Sequence, residues 1–69
     1  MNNRYNSQAW NVEMWLKSGR GITSLEALKK WGIFRLSAII FNLRKQGMDI
    51  DTKMITNGKK VYAEYNYNG

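Results

Sequence analysis

The chain has 69 residues, neither cysteine nor histidine, and 11 basic against 5 acidic side chains, which gives a net charge of +6. A chain of this length forms one domain with a limited core, because it buries only about 60% of its unfolded surface. These features exclude disulfides, the usual zinc sites and histidine- or cysteine-based catalysis. We therefore treat residues 1–69 as one domain and predict a protein that is not an enzyme and needs no metal or cofactor.

The positive charge favours a polyanionic partner such as nucleic acid, an anionic lipid or an acidic protein surface. Its alternative role is to aid solubility alone. The start, MNNRYN, lacks the apolar core of a signal peptide, and no run approaches the about 20 apolar residues of a membrane span. We therefore expect a cytoplasmic protein without a membrane partner. Residues 1–6 and 67–69 are unpatterned and are expected to be disordered.

The first helix is predicted over residues 7–18, with Ser7 or Asn6 as its cap. Its apolar positions recur at helical spacing: Ala9, Val12, Trp15 and Leu16. Gly19 ends the helix, because glycine readily adopts the left-handed conformation that follows a helix C-terminus. A short strand near Ile22 could then pair with a later hairpin. We expect the three tryptophans, Trp10, Trp15 and Trp31, in the core or at its rim, with Trp31 packing the first helix against the second.

The second helix begins at a capping box, the TSLE run of residues 23–26. In this motif the Thr23 hydroxyl accepts a hydrogen bond from the Glu26 backbone, while the Glu26 carboxylate accepts one from the Thr23 backbone. Two helical turns end at Trp31, and their apolar positions are Leu25, Ala27 and Leu28. Gly32 supplies the corner, because a residue with a Cβ resists positive φ.

The third helix is predicted over residues 34–46, and Gly47 stops it. At about 100° per residue, one side is apolar: Leu36, Ile39, Ile40 and Leu43. The other side carries Ser37, Ala38, Phe41, Asn42 and Lys45, flanked by Arg35 and Arg44. Phe41 lies among polar residues, which indicates a binding surface, a dimer contact or packing against the hairpin. Arg35 in the first turn is disfavoured by the helix dipole, so we expect compensation by a phosphate, by Glu26 or by Asp49.

Residues 48–55 and 60–67 are predicted strands, and Asn57-Gly58 predicts a type I′ hairpin turn between them. The residues expected to face the helices are Met48, Ile50, Met54, Val61, Ala63 and Tyr65. Tyr62 and Glu64 then face solvent or a ligand. Asp49 and Asp51 lie on one strand face with too few partners for a metal site. We expect them to discourage association at the strand edge or to pair with Lys53 or Arg44.

Three helices followed by a hairpin, with positive charge on the third helix and on the hairpin tip, predict an α+β winged helix-turn-helix. The tip consists of Asn57, Gly58, Lys59 and Lys60. A wing needs a close approach to the DNA backbone and cations for its phosphates, and this turn offers both. The alternative is a solvated turn whose lysines protect an edge strand.

The sequence resembles a family of small phage and bacterial helix-turn-helix proteins. The resemblance lies in residues 23–28 (TSLEAL), Gly32, residues 35–38 (RLSA) and residues 43–47 (LRKQG), followed by the Gly-Lys hairpin, and covers residues 12–65. It implies a DNA-binding fold in a bacterial or phage-infected cell, although most members have no known function. Ile39 stands where the family pattern usually has arginine, which removes a charge beside the expected reading helix.

We therefore predict binding to double-stranded DNA by a small phage or mobile-element transcriptional regulator or DNA-organising protein, as a homodimer or array. The third helix would enter the major groove, with Ser37, Ala38 and Asn42 at base edges and Arg35 at a guanine or a phosphate. Arg44 and Lys45, nearer the helix end, are expected at phosphates. The alternative is a phage-encoded inhibitor or adaptor of a host protein complex, for which Phe41 and Tyr62 are the interface candidates.

Overall fold

The computed structural model describes residues 7–69, in an order of three helices and three strands. The elements are α1 (Ser7–Lys17), β1 (Ile22–Thr23), α2 (Ser24–Trp31), α3 (Leu36–Lys45), β2 (Ile50–Asn57) and β3 (Lys60–Tyr67). The strands form one antiparallel sheet in the order β1-β3-β2, with Ile22 opposite Tyr65. The predicted winged helix-turn-helix architecture and the short strand at Ile22 are therefore both observed. Ser7, one of the two expected caps, is the first residue of α1. The other expected cap, Asn6, and the expected disorder of residues 1–6 lie outside what is described.

The core is small and draws on every element except β3, which packs against it through half-buried Tyr65 and Tyr67. Its buried residues are Val12, Leu16, Ile22, Ala27, Ile33, Leu36, Ile40, Leu43 and Ile50. Ile39 is half-buried and packs against this cluster. The prediction for Trp10 is wrong, since its side chain is exposed. Trp10 precedes Val12 by two positions, which turns it about 200° away from the buried stripe of α1.

Trp15 and Trp31 join α1 to α2, as predicted. Their rings meet edge to face, with centroids 5.8 Å apart. The Trp15 indole Nε1 donates a hydrogen bond to the Gly21 carbonyl oxygen at 2.9 Å. Arg20 and Lys30 both contact the Trp15 ring, at 4.8 and 4.4 Å from its centroid. This aromatic pair fixes the approach of α1 to the helix-turn-helix.

Both ends of α2 follow the sequence prediction. The Glu26 backbone N–H donates to Thr23 Oγ1 at 3.2 Å, and the Thr23 backbone N–H donates to Glu26 Oε1 at 3.1 Å. Gly32 ends the helix at φ 67°, and its N–H reaches the Ala27 and Leu28 carbonyls. The face of α2 differs from expectation, because Ala27 is its buried residue while Leu25 and Leu28 are exposed.

Several boundaries differ from the predicted ones, and α1 and α3 each end one residue earlier, at Lys17 and Lys45. Helix α3 begins at Leu36 rather than at residue 34, and Arg35 is its N-cap with φ −121° and ψ 62°. Phe34 therefore lies in the corner between α2 and α3. Strand β2 begins and ends two residues later than predicted, because Met48 and Asp49 make the connection from α3.

The hairpin turn is of a different type from the predicted one. Asn57 pairs with Lys60, so Gly58 and Lys59 are the two central residues. Gly58 has φ 65°, and no residue other than glycine in the described chain has positive φ. Positive φ at the first central position alone, with glycine there, is the pattern of a type II′ turn. Type I′ would also have required positive φ at Lys59.

The predicted strand faces are correct, but burial is confined to one end of the hairpin. Ile50 pairs with Tyr67 beside the helices, whereas Met54 and Val61 lie farther out. Met54 is 60% exposed and Val61 62% exposed. The outer half of the hairpin therefore does not pack against the core, in a molecule measuring 44 × 25 × 19 Å.

Strand β3 and its hydrogen bonds continue into the C-terminal residues that were expected to be disordered. Tyr67 is the last residue of β3 and is half-buried against the core. The Asn68 backbone N–H donates a hydrogen bond to the Asp49 carbonyl oxygen at 2.8 Å. The expected disorder of residues 67–69 is therefore wrong at its first two positions.

Candidate nucleic-acid interface

One side of α3 builds the core and the opposite side is open. Leu36, Ile40 and Leu43 are buried at helical spacing. The outward residues and the N-cap form what we call the reading face: Arg35, Ser37, Ala38, Phe41, Asn42 and Lys45. Of these, Ala38 is half-buried and the others are exposed. The structure thus brings six of the predicted interface residues together on one helix.

Arg35 gives the start of α3 an uncompensated positive charge. Its side chain makes no capping hydrogen bond, and the first turn of α3 contains no acidic residue. Within residues 7–69 the one ion pair joins Lys17 to Glu13 at 2.9 Å, so neither Glu26 nor Asp49 neutralises Arg35. Because a helix N-terminus is itself electropositive, this position is suited to an anion.

The Lys17–Glu13 pair lies on α1, with Lys17 exposed and Glu13 half-buried. Hydrogen bonding to Glu13, with its negative charge, raises the pKa of Lys17 above the ordinary lysine value. The expected pairing of Asp49 or Asp51 with Lys53 or Arg44 is absent from the described residues. The cations of α3 and of the hairpin tip therefore have no acidic partner within residues 7–69.

Arg44 makes different contacts from the phosphate contact that was expected. Its Nε and Nη2 donate to the Ile50 carbonyl oxygen at 3.0 and 2.6 Å, and Nη2 also donates to Thr52 Oγ1 at 2.9 Å. Its guanidinium carbon lies 5.9 Å from the centroid of the Tyr65 ring. Arg44 therefore joins the end of α3 to the start of β2. Sequence reasoning missed this role because the main acceptor is a backbone carbonyl six positions later.

Two phenylalanines protrude at α3. Phe41 is 61% exposed, and Lys45 Nζ lies 5.5 Å from its ring centroid. Phe34 is 85% exposed in the corner before the helix, and sequence analysis did not single it out. An apolar residue at that position often packs against the fourth helical residue, here Ile39. At 85% exposure Phe34 does not make that contact, so its ring is available to a partner.

The hairpin tip carries a second group of exposed basic side chains, in addition to those of the reading face. Asn57, Gly58, Lys59 and Lys60 are all exposed, and neither lysine forms an ion pair in the part of the chain that is described. The strand between Ile50 and Asn57 places the tip about 23 Å from the helix end of the hairpin. A protruding cationic turn of this kind is suited to a phosphate backbone.

Tyr62 lies on a different surface from the reading face. It is opposite Ile55, on the sheet face that does not carry Ile50 and Tyr65. Together with Leu25 and Lys29 of α2 it lines an open groove of about 750 Å³ that also reaches Lys60. The two predicted protein-interface residues, Phe41 and Tyr62, are therefore not brought together.

Other kinds of site find little support in the described residues. No cluster of three acidic, histidine or cysteine side chains there could hold a metal ion. None of the helices between residues 7 and 69 has the length and apolar character needed to cross a membrane.

Comparison with known proteins identifies the family. Residues 7–68 match the family described as winged helix-turn-helix domain. The chain belongs to this family, in agreement with its three helices and its hairpin. No curated protein and no solved structure gives a significant match.

Proposed function

We propose that this winged helix-turn-helix protein binds double-stranded DNA, with α3 in the major groove and the hairpin tip along the sugar–phosphate backbone. The observation that carries the proposal is Arg35, an exposed cation at the N-terminus of α3 without an acidic partner in residues 7–69. Domains of this family are typically DNA-binding and not enzymes, which supports the same reading.

The dimensions of α3 suit the major groove. The helix has ten residues and is about 15 Å long, and the groove is about 12 Å wide. Arg35 and Lys45 lie at its two ends, where they can neutralise phosphates at the groove margins. Ser37, Ala38 and Asn42 then face the base edges, and Asn42 can pair with adenine N6 and N7.

The hairpin tip supplies a second, sequence-independent contact. Lys59 and Lys60 neutralise backbone phosphates, and Asn57 and Gly58 allow the turn to approach closely. Arg44 serves this arrangement as a positioning residue, because it holds β2 at the end of α3. A change in its hydrogen bonds would move the wing relative to the reading face.

The proposed role is a small transcriptional regulator or DNA-organising protein of a phage or mobile element, acting in the cytoplasm. A single copy covers only one half-site, so specific recognition would use a homodimer or an array on DNA.

The test is duplex binding measured by fluorescence anisotropy over a series of salt concentrations. We expect log K to fall linearly with log salt, at a slope of about −0.9 per neutralised phosphate. Arg35→Ala should weaken binding and reduce the magnitude of that slope by about 0.9, the value of one phosphate contact. Lys17→Ala, which removes one charge from α1, is the matched control and should leave the slope nearly unchanged. A folded protein without salt-dependent duplex binding would contradict the proposal.

A second candidate function is supported by the exposed aromatic rings. Phe34 and Phe41 are large apolar groups at α3, and such groups often anchor protein interfaces. The protein could thus act as a phage-encoded inhibitor or adaptor of a host protein complex. Capture of one specific host complex by wild type, and its loss with Phe41→Ala while duplex binding persists, would favour this candidate.

A further inference from the structure

The reading face has an apolar centre between cationic ends. Ala38 and Phe41 are three positions apart and Lys45 follows four later, so all three lie along one stripe of α3. The 5.5 Å distance from Lys45 Nζ to the Phe41 ring is consistent with this alignment. Phe41 is 61% exposed, so its ring is not needed to complete the core.

Hydrogen-bonding groups on this face are few. Between Arg35 and Lys45, only Ser37 and Asn42 of the reading face can bond a base edge, and they flank the apolar stripe. A base pair opposite the stripe would therefore meet Ala38 and Phe41. In the major groove of unmodified DNA the apolar group is the C5-methyl of thymine, and both alanine and phenylalanine can contact it.

We infer that the Ala38–Phe41 stripe recognises thymine methyl groups, so that the protein prefers duplexes that carry methyl groups in the major groove. This inference rests on the proposed function, since it requires α3 to enter that groove. Arg35 and Lys45 favour the same placement, because phosphates drawn to both ends of α3 bring the stripe toward the base edges. A protein partner would explain the exposed ring equally well, but it would account for the cations at both ends only if its own surface were acidic.

The size of the expected preference follows from apolar burial. Removing one methyl-sized group from water favours binding by roughly four-fold. Phe34 provides an internal comparison, because it is also an exposed phenylalanine but lies before the N-terminus of α3 rather than on the stripe.

The experiment uses two pairs of duplexes, each pair identical except for major-groove methyl groups. In the first pair, a mixed A·T sequence contains either thymine or deoxyuridine. In the second, a mixed G·C sequence contains either 5-methylcytosine or cytosine. Wild type should bind the methylated member of each pair roughly four-fold more tightly for each methyl contacted. Phe41→Ala should lower both ratios toward one without changing the salt dependence, and only the contact of Ala38 should remain, whereas Phe34→Ala should keep both ratios unchanged.

Circular dichroism establishes that each variant is folded, and Phe41→Leu gives a second variant that keeps an apolar contact and should retain part of both ratios. Equal affinity of wild type for both members of each pair, with binding still dependent on salt, would overturn the inference and leave DNA binding intact. Ratios that persist undiminished in Phe41→Ala would also overturn it, because Phe41 would then contribute nothing to reading the methyl group. Absence of any salt-dependent duplex binding would instead remove the proposed function itself.

Discussion

Arg44 donates hydrogen bonds to the Ile50 carbonyl oxygen from both Nε and Nη2, at 3.0 and 2.6 Å. This single pair of residues joins the last turn of α3 to the first residue of β2, and hence the reading face to the wing. Strand β2 lies at an edge of the sheet, where backbone groups are open to unwanted pairing. The Arg44 guanidinium therefore also protects an acceptor at the start of that edge strand.

The first prediction is that Arg44→Lys destabilises the fold although it keeps the charge. An ammonium cannot reproduce the planar fork that reaches Ile50 and Thr52, so we expect a loss of about 1 kcal/mol in the free energy of unfolding. Urea denaturation measures it. Lys45→Arg is the matched control, because it exchanges the same two side chains at an exposed neighbouring position and should be neutral. Equal stability of Arg44→Lys and wild type would show that charge alone matters at this site.

Local signals in the sequence sufficed for much of the fold. The capping box at Thr23 and the glycine corner at Gly32 each depend on a few neighbouring residues, and each appears where it was predicted. The hairpin turn is shifted by one residue, because Asn57 pairs with Lys60 whereas the predicted turn had Asn57 and Gly58 at its centre. The turn type was missed because Asn57-Gly58 predicts an I′ turn only if these two residues are central. The observed register places Gly58 first and Lys59 second.

Features that depend on distant contacts could not be predicted. Met54 and Val61 have the alternation of buried strand residues, but they do not pack against the core and remain exposed. The position of Arg44 on α3 predicts a phosphate contact. Its hydrogen bonds to the Ile50 carbonyl oxygen depend on the path of the chain from α3 into β2. Phe34 reads as a helical residue, and only the late start of α3 leaves it exposed.

The capping box gives the second prediction. Thr23→Ala removes the acceptor of the Glu26 N–H, and we expect a cost of about 1 kcal/mol, as is typical of N-cap substitutions. Thr23→Ser keeps the hydroxyl and should restore most of the stability. Ser24→Ala, one position later, is the control and should have little effect. Thermal unfolding of the three variants provides the measurement, and an unaffected Thr23→Ala would argue that the cap contributes nothing.

The third prediction separates conformation from packing at Gly32. This residue has φ 67°, and an added Cβ would meet no atom within 4 Å. The cost of Gly32→Ala should therefore come from the left-handed backbone alone, at about 1 kcal/mol. A chain made by chemical synthesis with D-alanine at this position should be at least as stable as wild type, since D-residues favour positive φ. If both enantiomers destabilise equally in chemical denaturation, the explanation from backbone conformation is wrong.

The fourth prediction concerns the wing. Replacing Lys59 and Lys60 together by alanine should weaken binding to all duplex sequences about equally. The magnitude of the slope of log K against log salt should fall by roughly 1–2. The matched control removes two lysines from the helices, Lys17→Ala with Lys29→Ala, and changes the net charge equally. Equal slopes for the two double variants would mean that net charge, rather than the hairpin tip, governs binding.

The fifth prediction uses two adjacent residues of α3 that face opposite environments. Ile40 is buried in the core, so Ile40→Ala should cost about 2–5 kcal/mol in the free energy of unfolding. Phe41 is 61% exposed, so Phe41→Ala should change stability by no more than about 0.5 kcal/mol.

Non-specific duplex affinity should also survive Phe41→Ala, because it comes from cation–phosphate contacts. A host protein anchored on Phe41 should instead lose about 2 kcal/mol or more of its binding free energy. Urea denaturation and titration of the same Phe41→Ala sample with duplex and with any captured host protein distinguish these outcomes. A large loss of stability in that variant would contradict the exposure of its ring and indicate packing against the hairpin.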